Sequence, residues 1–272
     1  MTSANPAQTL TLADVVRQLA GAQKTAAHGA PAYSLFVNRP LGRVPAAVAF
    51  RLGWTPNMVT LLSAGFSLAG VLVLALATPS LASGLAVWLL LAGGYVLDSA
   101  DGQLARLRGG GSPAGEWLDH VVDAWKMSSV HLAVLVMLFR HPTGLQPVWL
   151  LVPLGFALVA SVAFFAMILN DLLKAKYAFP ANKSTPSSPG RSLLALPTDY
   201  GILCLSFVLL GAPLVFFAAY TALFAANLLY LVLALAKWFR DMRALGTPPA
   251  RIQPGTGPRH RAEEWGDGAA AR

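Results

Sequence analysis

Residues 82–101 read ASGLAVWLLLAGGYVLDSAD: sixteen positions free of charge, then Asp98 and Asp101 three apart. A membrane crossing needs about 20 apolar residues. A helix beginning at residue 82 therefore cannot end at 97; it has to run on through the aspartates. Outward from this stretch the chain repeats the habit. Residues 57–78 and 147–170 carry no charge, and 121–139 carry only Asp123 and Lys126, both in their first turns. Residues 200–236 are also uncharged, too long a run for one helix. Gly211-Ala212-Pro213 is the natural break, which gives a fifth span from about residue 193 and a sixth from about 214. The reading is an all-α polytopic membrane protein of six transmembrane helices.

Composition agrees. Of 272 residues, 56% are hydrophobic and 12% charged, with a mean hydropathy of +0.57. Soluble domains carry about 25% charged residues, so this chain lacks the polar surface to coat a soluble protein, and it is too apolar for disorder. One cysteine excludes a disulfide framework or a zinc site of several thiolates. The net charge of +8 reflects topology rather than nucleic acid, because no basic run is interleaved with aromatics. With both termini on one side, that side receives 18 of the 20 Lys and Arg; Arg140 faces the other side and Lys126 lies in a helix. The positive-inside rule then places both termini in the cytoplasm of a multi-pass plasma-membrane protein.

Residues 1–33 lack the pattern of a signal peptide and are expected to form a flexible cytoplasmic lead. Residues 34–52 mix apolar positions with Arg39, Arg43 and Arg51, the pattern of an amphipathic helix in the headgroup layer. The membrane domain is expected over 34–243, with its last span ending near 237. Residues 183–190 read as a cytoplasmic loop and 244–272 as a flexible tail.

Five of the twelve acidic residues fall within 26 positions: Asp98, Asp101, Glu116, Asp119 and Asp123. An aspartate at a helix centre in the bilayer costs about 2.5–3.5 kcal/mol on insertion scales, so these need a cation or a partner. Asp98 and Asp101 share one helix face, and Asp119 and Asp123 another. The intervening 107–113, LRGGGSP, supplies a tight reversal. Two helix ends thus meet at the cytoplasmic boundary and offer four carboxylates to one space. Oxygen-only ligands at a site that handles phosphates favour Mg²⁺ or Mn²⁺, and two ions there would clamp a phosphoryl transfer. Gly102 and Gly115 let a ligand approach their helices closely. Ala105 is small, and Arg106 offers a planar fork to phosphate.

The run Asp98-Ser-Ala-Asp101-Gly102-Gln-Leu-Ala105-Arg106, then Gly115, Asp119 and Asp123, resembles the signature of the CDP-alcohol phosphotransferases, DxxDGxxAR(x8)GxxxDxxxD. All eight fixed positions match. The six-span layout and the Thr55-Pro56-Asn57…Thr60 segment extend the resemblance over most of the chain. It implies a homodimer whose Asp98, Asp101, Asp119 and Asp123 hold two metal ions. Asp123 would also be the base that deprotonates an alcohol, whose oxygen attacks the β-phosphorus of a CDP-linked donor and releases CMP. Gly102, Ala105, Arg106 and Gly115 would line the cytidine and diphosphate pocket, bordered by Asn57 and Thr60. The resemblance leaves two substrate arrangements. In one, CDP-diacylglycerol passes its phosphatidyl group to a small polar alcohol, phosphorylated or not, in phospholipid biosynthesis. Alternatively, a soluble CDP-alcohol donates to the hydroxyl of a membrane lipid. The first is preferred.

Lys126 shares the face of Asp119 and Asp123. It is read either as a structural partner of Asp123 or as a ligand for an anionic acceptor. Arg108, Glu116, His120, Lys174, Lys176 and Arg191 are read as topological, surface or packing residues, and Cys204 as an apolar filler. A cation-coupled transporter is the competing class, but it would place its acids near the midplane and in repeated halves.

Overall fold

The computed structural model describes residues 11–21, 31–142, 144–177 and 196–245. Among them there is no strand. The helices are α1 (Leu12–Gly21), α2 (Arg39–Arg51), α3 (Pro56–Leu76), α4 (Leu81–Leu107), α5 (Pro113–Arg140), α6 (Leu151–Lys176), α7 (Tyr200–Ser206) and α8 (Pro213–Ala244). Five are long and apolar enough to cross a membrane: α3, α4, α5, α8 and the run Pro147–Lys176 that contains α6. The expected fifth span is a shorter apolar segment, Tyr200–Gly211, in which α7 tightens into a 3₁₀ stretch (Phe207–Gly211). These twelve residues rise only about 20 Å; positions 193–195, where the span was expected to begin, lie outside the described residues.

Local chemistry starts and stops the helices where the site needs them. Thr55 caps α3, accepting a hydrogen bond from the Met58 amide, with Pro56 at the first helical position. Ser80 and Ser83 form a reciprocal capping box on α4. Between α4 and α5 the chain reverses through Gly109 (φ 93°) and Gly110 (φ 134°), left-handed positions that a side chain resists. Ser112 then caps α5 through the Gly115 amide at 3.1 Å. Helix α5 starts eight residues before the apolar run at 121, because this cap and Pro113 nucleate a turn that hydropathy alone does not show. The carboxylates of α5 therefore sit inside a rigid helix.

α3 and α4 pack through small residues: Ser63 Oγ donates to the Gly94 carbonyl at 2.8 Å, and a Cβ at Gly94 would lie 2.7 Å from Ser67 Oγ. On α5, α6 and α8, buried His131 stacks on Phe156 (centroids 3.9 Å apart), and its Nδ1 pairs with the Tyr220 hydroxyl at 2.7 Å. This fixes the inner half of the bundle and leaves the other end of α5 to carry the site.

The N-terminal region holds a helix where a flexible lead was expected. The lead contains α1, whose Val15 and Leu19 are buried among Ala46, Ala47 and Ala49 of α2 and Leu104 of α4. An amphipathic ten-residue helix with apolar positions four apart gains enough from that burial to order. The segment 34–52 is helical as expected, entering α2 through a π-helical turn (Ser34–Asn38) and exposing Leu41, Val44 and Val48 on its outer side. Its Arg39, expected in the headgroup layer, lines a cavity together with Asp98, Asp101 and Asp119. The loop at 183–190, Lys183, Arg191 and the tail from 246 onward lie outside the described residues.

Candidate active site

At the ends of α4 and α5 that meet across the glycine turn, each helix contributes carboxylates at helical spacing. One oxygen from each of Asp98, Asp119 and Asp123 lies within 4.8 Å of the others. Asp98 comes from α4, Asp119 and Asp123 from α5, so the cluster exists only because the two helices are held together. All three are half-buried. Like charges this close repel by several kcal/mol at an effective dielectric near 20, and a cation among them relieves that repulsion.

The described chain supplies one cation itself. Lys126 Nζ is 2.7 Å from Asp98 Oδ1 and 2.7 Å from Asp123 Oδ1, and its side chain is 1% exposed. Both partners retain about a fifth of their surface (19% and 20%), so the carboxylates remain reachable from outside while the lysine does not. The pairing with Asp123 was expected from the three-residue spacing; the bridge to Asp98 on the neighbouring helix was not.

Asp101 stands apart from the triad. It is buried, and its carboxylate accepts a 2.6 Å hydrogen bond from Thr60 Oγ1 of α3. Thr60, expected at the border of a nucleotide pocket, thus orients an aspartate. Asp98, Asp101 and Asp119 line one cavity of about 200 Å³ together with Ser99, Gly102, Gln103, Arg106 and Arg39. Gln103 is an addition that the sequence did not single out, and Arg39 was read from the sequence only as a headgroup residue. Arg39 lies 59 positions before Asp98, and only tertiary packing brings them together: a Cβ at Gly42 would lie 2.8 Å from Gln103 Nε2, so α2 presses closely on α4. Gln103 Nε2 in turn donates to the Arg39 carbonyl at 3.0 Å.

The remaining expected residues distribute as follows. Gly102 is on the cavity wall, and a Cβ there would meet Arg106 Nη1 at 3.4 Å, ordinary contact. Gly115 is tighter, since a Cβ would lie 2.9 Å from Asn57 Oδ1; Asn57 and Gly115 are direct neighbours across α3 and α5. Ala105 is half-buried one turn beyond Asp101. His120 makes an edge contact with Phe164 and lies 4.0 Å from exposed Glu116, so both are peripheral. Lys174 is drawn to Asp241, at 2.9 Å, which Lys237 also meets at 3.0 Å; these residues tie α6 to α8. Cys204 is fully buried in the core.

The arrangement joins clustered oxygen donors with two arginines that can meet phosphate, on facing helix ends at the boundary of a helical bundle. Two structures of phosphatidylinositol phosphate synthase (PgsA1) from Mycobacterium tuberculosis are similar to this chain. One, in complex with manganese and citrate, has 22% identity and a TM-score of 0.45, over 82% of this chain and 97% of that one. The other, with CDP-DAG bound, has 21% identity and a TM-score of 0.45, over 80% and 97%. No curated protein matches the chain significantly. The family model for CDP-alcohol phosphatidyltransferases matches residues 53–238, from the turn before α3 into the last turns of α8. That stretch holds all four aspartates, Lys126 and every long apolar helix, and by this match the chain belongs to the CDP-alcohol phosphatidyltransferase family of membrane enzymes.

Proposed function

We propose that Asp98, Asp101, Asp119 and Asp123 are the metal-binding residues of a transferase that moves a phosphatidyl group from a CDP-linked donor, with CDP-diacylglycerol preferred, to an alcohol hydroxyl. The carrying observation is the approach of the Asp98, Asp119 and Asp123 oxygens to within 4.8 Å of one another. The donor set fits two Mg²⁺ or Mn²⁺ ions: it is all carboxylate oxygen, from two rigid helices, with Asp101 pre-oriented by Thr60. When bound, such ions neutralise the diphosphate and the charge that grows on the departing phosphate.

The chain's own residues do the rest. Arg106 and Arg39 line the same cavity and offer guanidinium forks to phosphate oxygens. Gly102 and Gly115 keep the helix backbones accessible to the nucleotide, with Asn57 beside Gly115. Asp123 accepts the proton from the acceptor hydroxyl, and the oxygen so freed attacks the β-phosphorus as the bond to CMP breaks. Lys126 is a positioning residue. It holds Asp98 and Asp123 at fixed separation, and its burial argues against direct contact with an acceptor.

The clustering of arginines at this end supports a cytoplasmic active site and cytoplasmic termini. In this reading the transferase domain extends over 34–243 and functions as a homodimer. The test is CMP release by the purified protein with CDP-diacylglycerol, Mg²⁺ and single acceptor alcohols. Release that needs metal and is abolished in Asp123→Asn is expected; equal release by that variant would overturn the assignment.

A further inference from the structure

Arg39 reaches the aspartate cavity from α2, and its own backbone is fastened on both sides. Its N–H donates to the Ser34 carbonyl, closing the π-helical turn Ser34–Asn38. Its carbonyl accepts from Gln103 Nε2 of α4 at 3.0 Å. The residue before it, Asn38, is buried and donates through Nδ2 to the Tyr95 carbonyl of α4 at 3.1 Å. A π turn is rare and occurs mostly as a single turn inside an α-helix, so one placed directly before Arg39 calls for something that holds it.

Asp199 supplies the hold. It stands 165 positions beyond Ser34, at the start of α7, and is 2% exposed. One carboxylate oxygen accepts from the Gly201 amide at 2.9 Å and caps α7. The other accepts from the Ser34 amide at 2.8 Å. Ser34 lies in the first turn of the helical run that opens at Ala32, where amides have no acceptor within their own helix. A single carboxylate thus satisfies two helix starts. Tyr33 adds packing to the same join: a Cβ at Gly201 would overlap its ring, and the ring also stacks on Tyr95 of α4, with centroids 6.5 Å apart. The bonds form one path through the backbone of Arg39. The Asp199 carboxylate holds the Ser34 N–H, the Ser34 carbonyl holds the Arg39 N–H, and Gln103 holds the Arg39 carbonyl.

We infer that Asp199 and Asn38 are positioning residues for the transfer: they fix the π turn, and with it Arg39, so that the diphosphate of the donor meets an arginine already in place. The inference rests on the reading of the aspartate cavity as the donor-phosphate site. Neither Asp199 nor Asn38 is among the residues that line that cavity, whereas Arg39 is, so each acts through Arg39. The outer face of α2 exposes Leu41, Val44 and Val48 and touches nothing that could set the direction of a side chain on its inner face. Fixing the backbone from the α4 and α7 side spares the donor part of the cost of ordering a long side chain.

The test is a double-mutant cycle on the full chain in detergent. It is read by calorimetric titration with CDP in Mg²⁺, and by CMP release from CDP-diacylglycerol with glycerol 3-phosphate, inositol 1-phosphate or dioleoylglycerol as acceptor. Asn has one acceptor oxygen where Asp has two, so Asp199→Asn keeps the α7 cap two residues away and gives up Ser34. Asp199→Asn and Asn38→Ala are each expected to raise the CDP Kd and the donor KM about tenfold. Their kcat should stay within about twofold of the parent, since a phosphate contact made both before and during transfer acts on binding. Arg39→Gln should cost at least as much as either. In the Arg39→Gln background, Asp199→Asn and Asn38→Ala should change the CDP Kd by less than about twofold, because the residue they act through is gone. Equal effects in both backgrounds, as a purely structural role would give, would overturn the inference. So would unchanged CDP binding in Asp199→Asn, or no CDP binding by the parent. If Asp199→Asn does not fold, Gly201→Ala, which pushes the Tyr33 ring off α7, carries the same cycle. Coupling to Arg39 in CDP binding without CMP release from any of these mixtures would support the positioning while sinking the transfer reading.

Discussion

Replacing Lys126 by Met removes the ammonium that bridges two helices and keeps most of the volume. Lys126 is 1% exposed and 2.7 Å from both Asp98 and Asp123, so the variant leaves two carboxylates without the cation they pack around. Breaking a buried ion pair costs about 3–5 kcal/mol. The aspartates, however, are a fifth exposed, and water screens part of that, so the lower end, about 3 kcal/mol, is expected without metal. For a chain of this size about 1 kcal/mol moves Tm by 2–4 °C, giving a drop of roughly 6–12 °C in EDTA. In the proposed site, divalent ions would compete with Lys126 for the same oxygens. Mg²⁺ should therefore stabilise Lys126→Met more than the parent, by mass action on a site freed of its internal cation. The assay is apparent melting in detergent, with EDTA and with millimolar Mg²⁺, alongside CMP release. Turnover should fall, because Asp123 loses the contact that orients it. Parent-like melting in EDTA, or the same Mg²⁺ increment in both proteins, would refute the clamp.

Thr60→Val deletes the 2.6 Å hydrogen bond to buried Asp101; a bond to a charged group is worth about 1.5–3 kcal/mol, so the Mg²⁺ concentration for half-maximal CMP release should rise about tenfold or more. In Gly115→Ala the new Cβ would lie 2.9 Å from Asn57 Oδ1, and the donor KM should increase. Adding Asn57→Ala relieves the contact, so the double variant should melt above Gly115→Ala, and equal melting would show that the contact is not the cause. Ser112→Ala removes the cap on α5 at the Gly115 amide and should cost about 1 kcal/mol, seen as a melting shift of 2–4 °C.

What was legible in the sequence was what is local. Uncharged runs mark the spans because the bilayer admits little else. Aspartates three and four apart share helix faces whatever the rest of the chain does, and the glycine turn between them is written in 107–113. The start of α5 at Pro113 was hidden because the residues that make a site are the polar ones that blur an apolar run. The α1 helix was missed because it is short and stable only against α2 and α4. Arg39 and Gln103 enter the cavity through the close approach of α2 to α4 at Gly42, and no spacing rule reaches 59 residues back. Lys126 was half legible: Asp123 is three positions away, but Asp98 is a partner only in three dimensions.

The proposed site assigns the divalent ions of a transferase to four aspartates on α4 and α5. Anomalous scattering from crystals grown with Mn²⁺ and CDP locates those ions directly. Two manganese peaks are expected, bounded by Asp98, Asp101, Asp119 and Asp123, with their loss in Asp119→Asn. Manganese bound elsewhere with that cluster still bridged by Lys126, or peaks unchanged in Asp119→Asn, would contradict it.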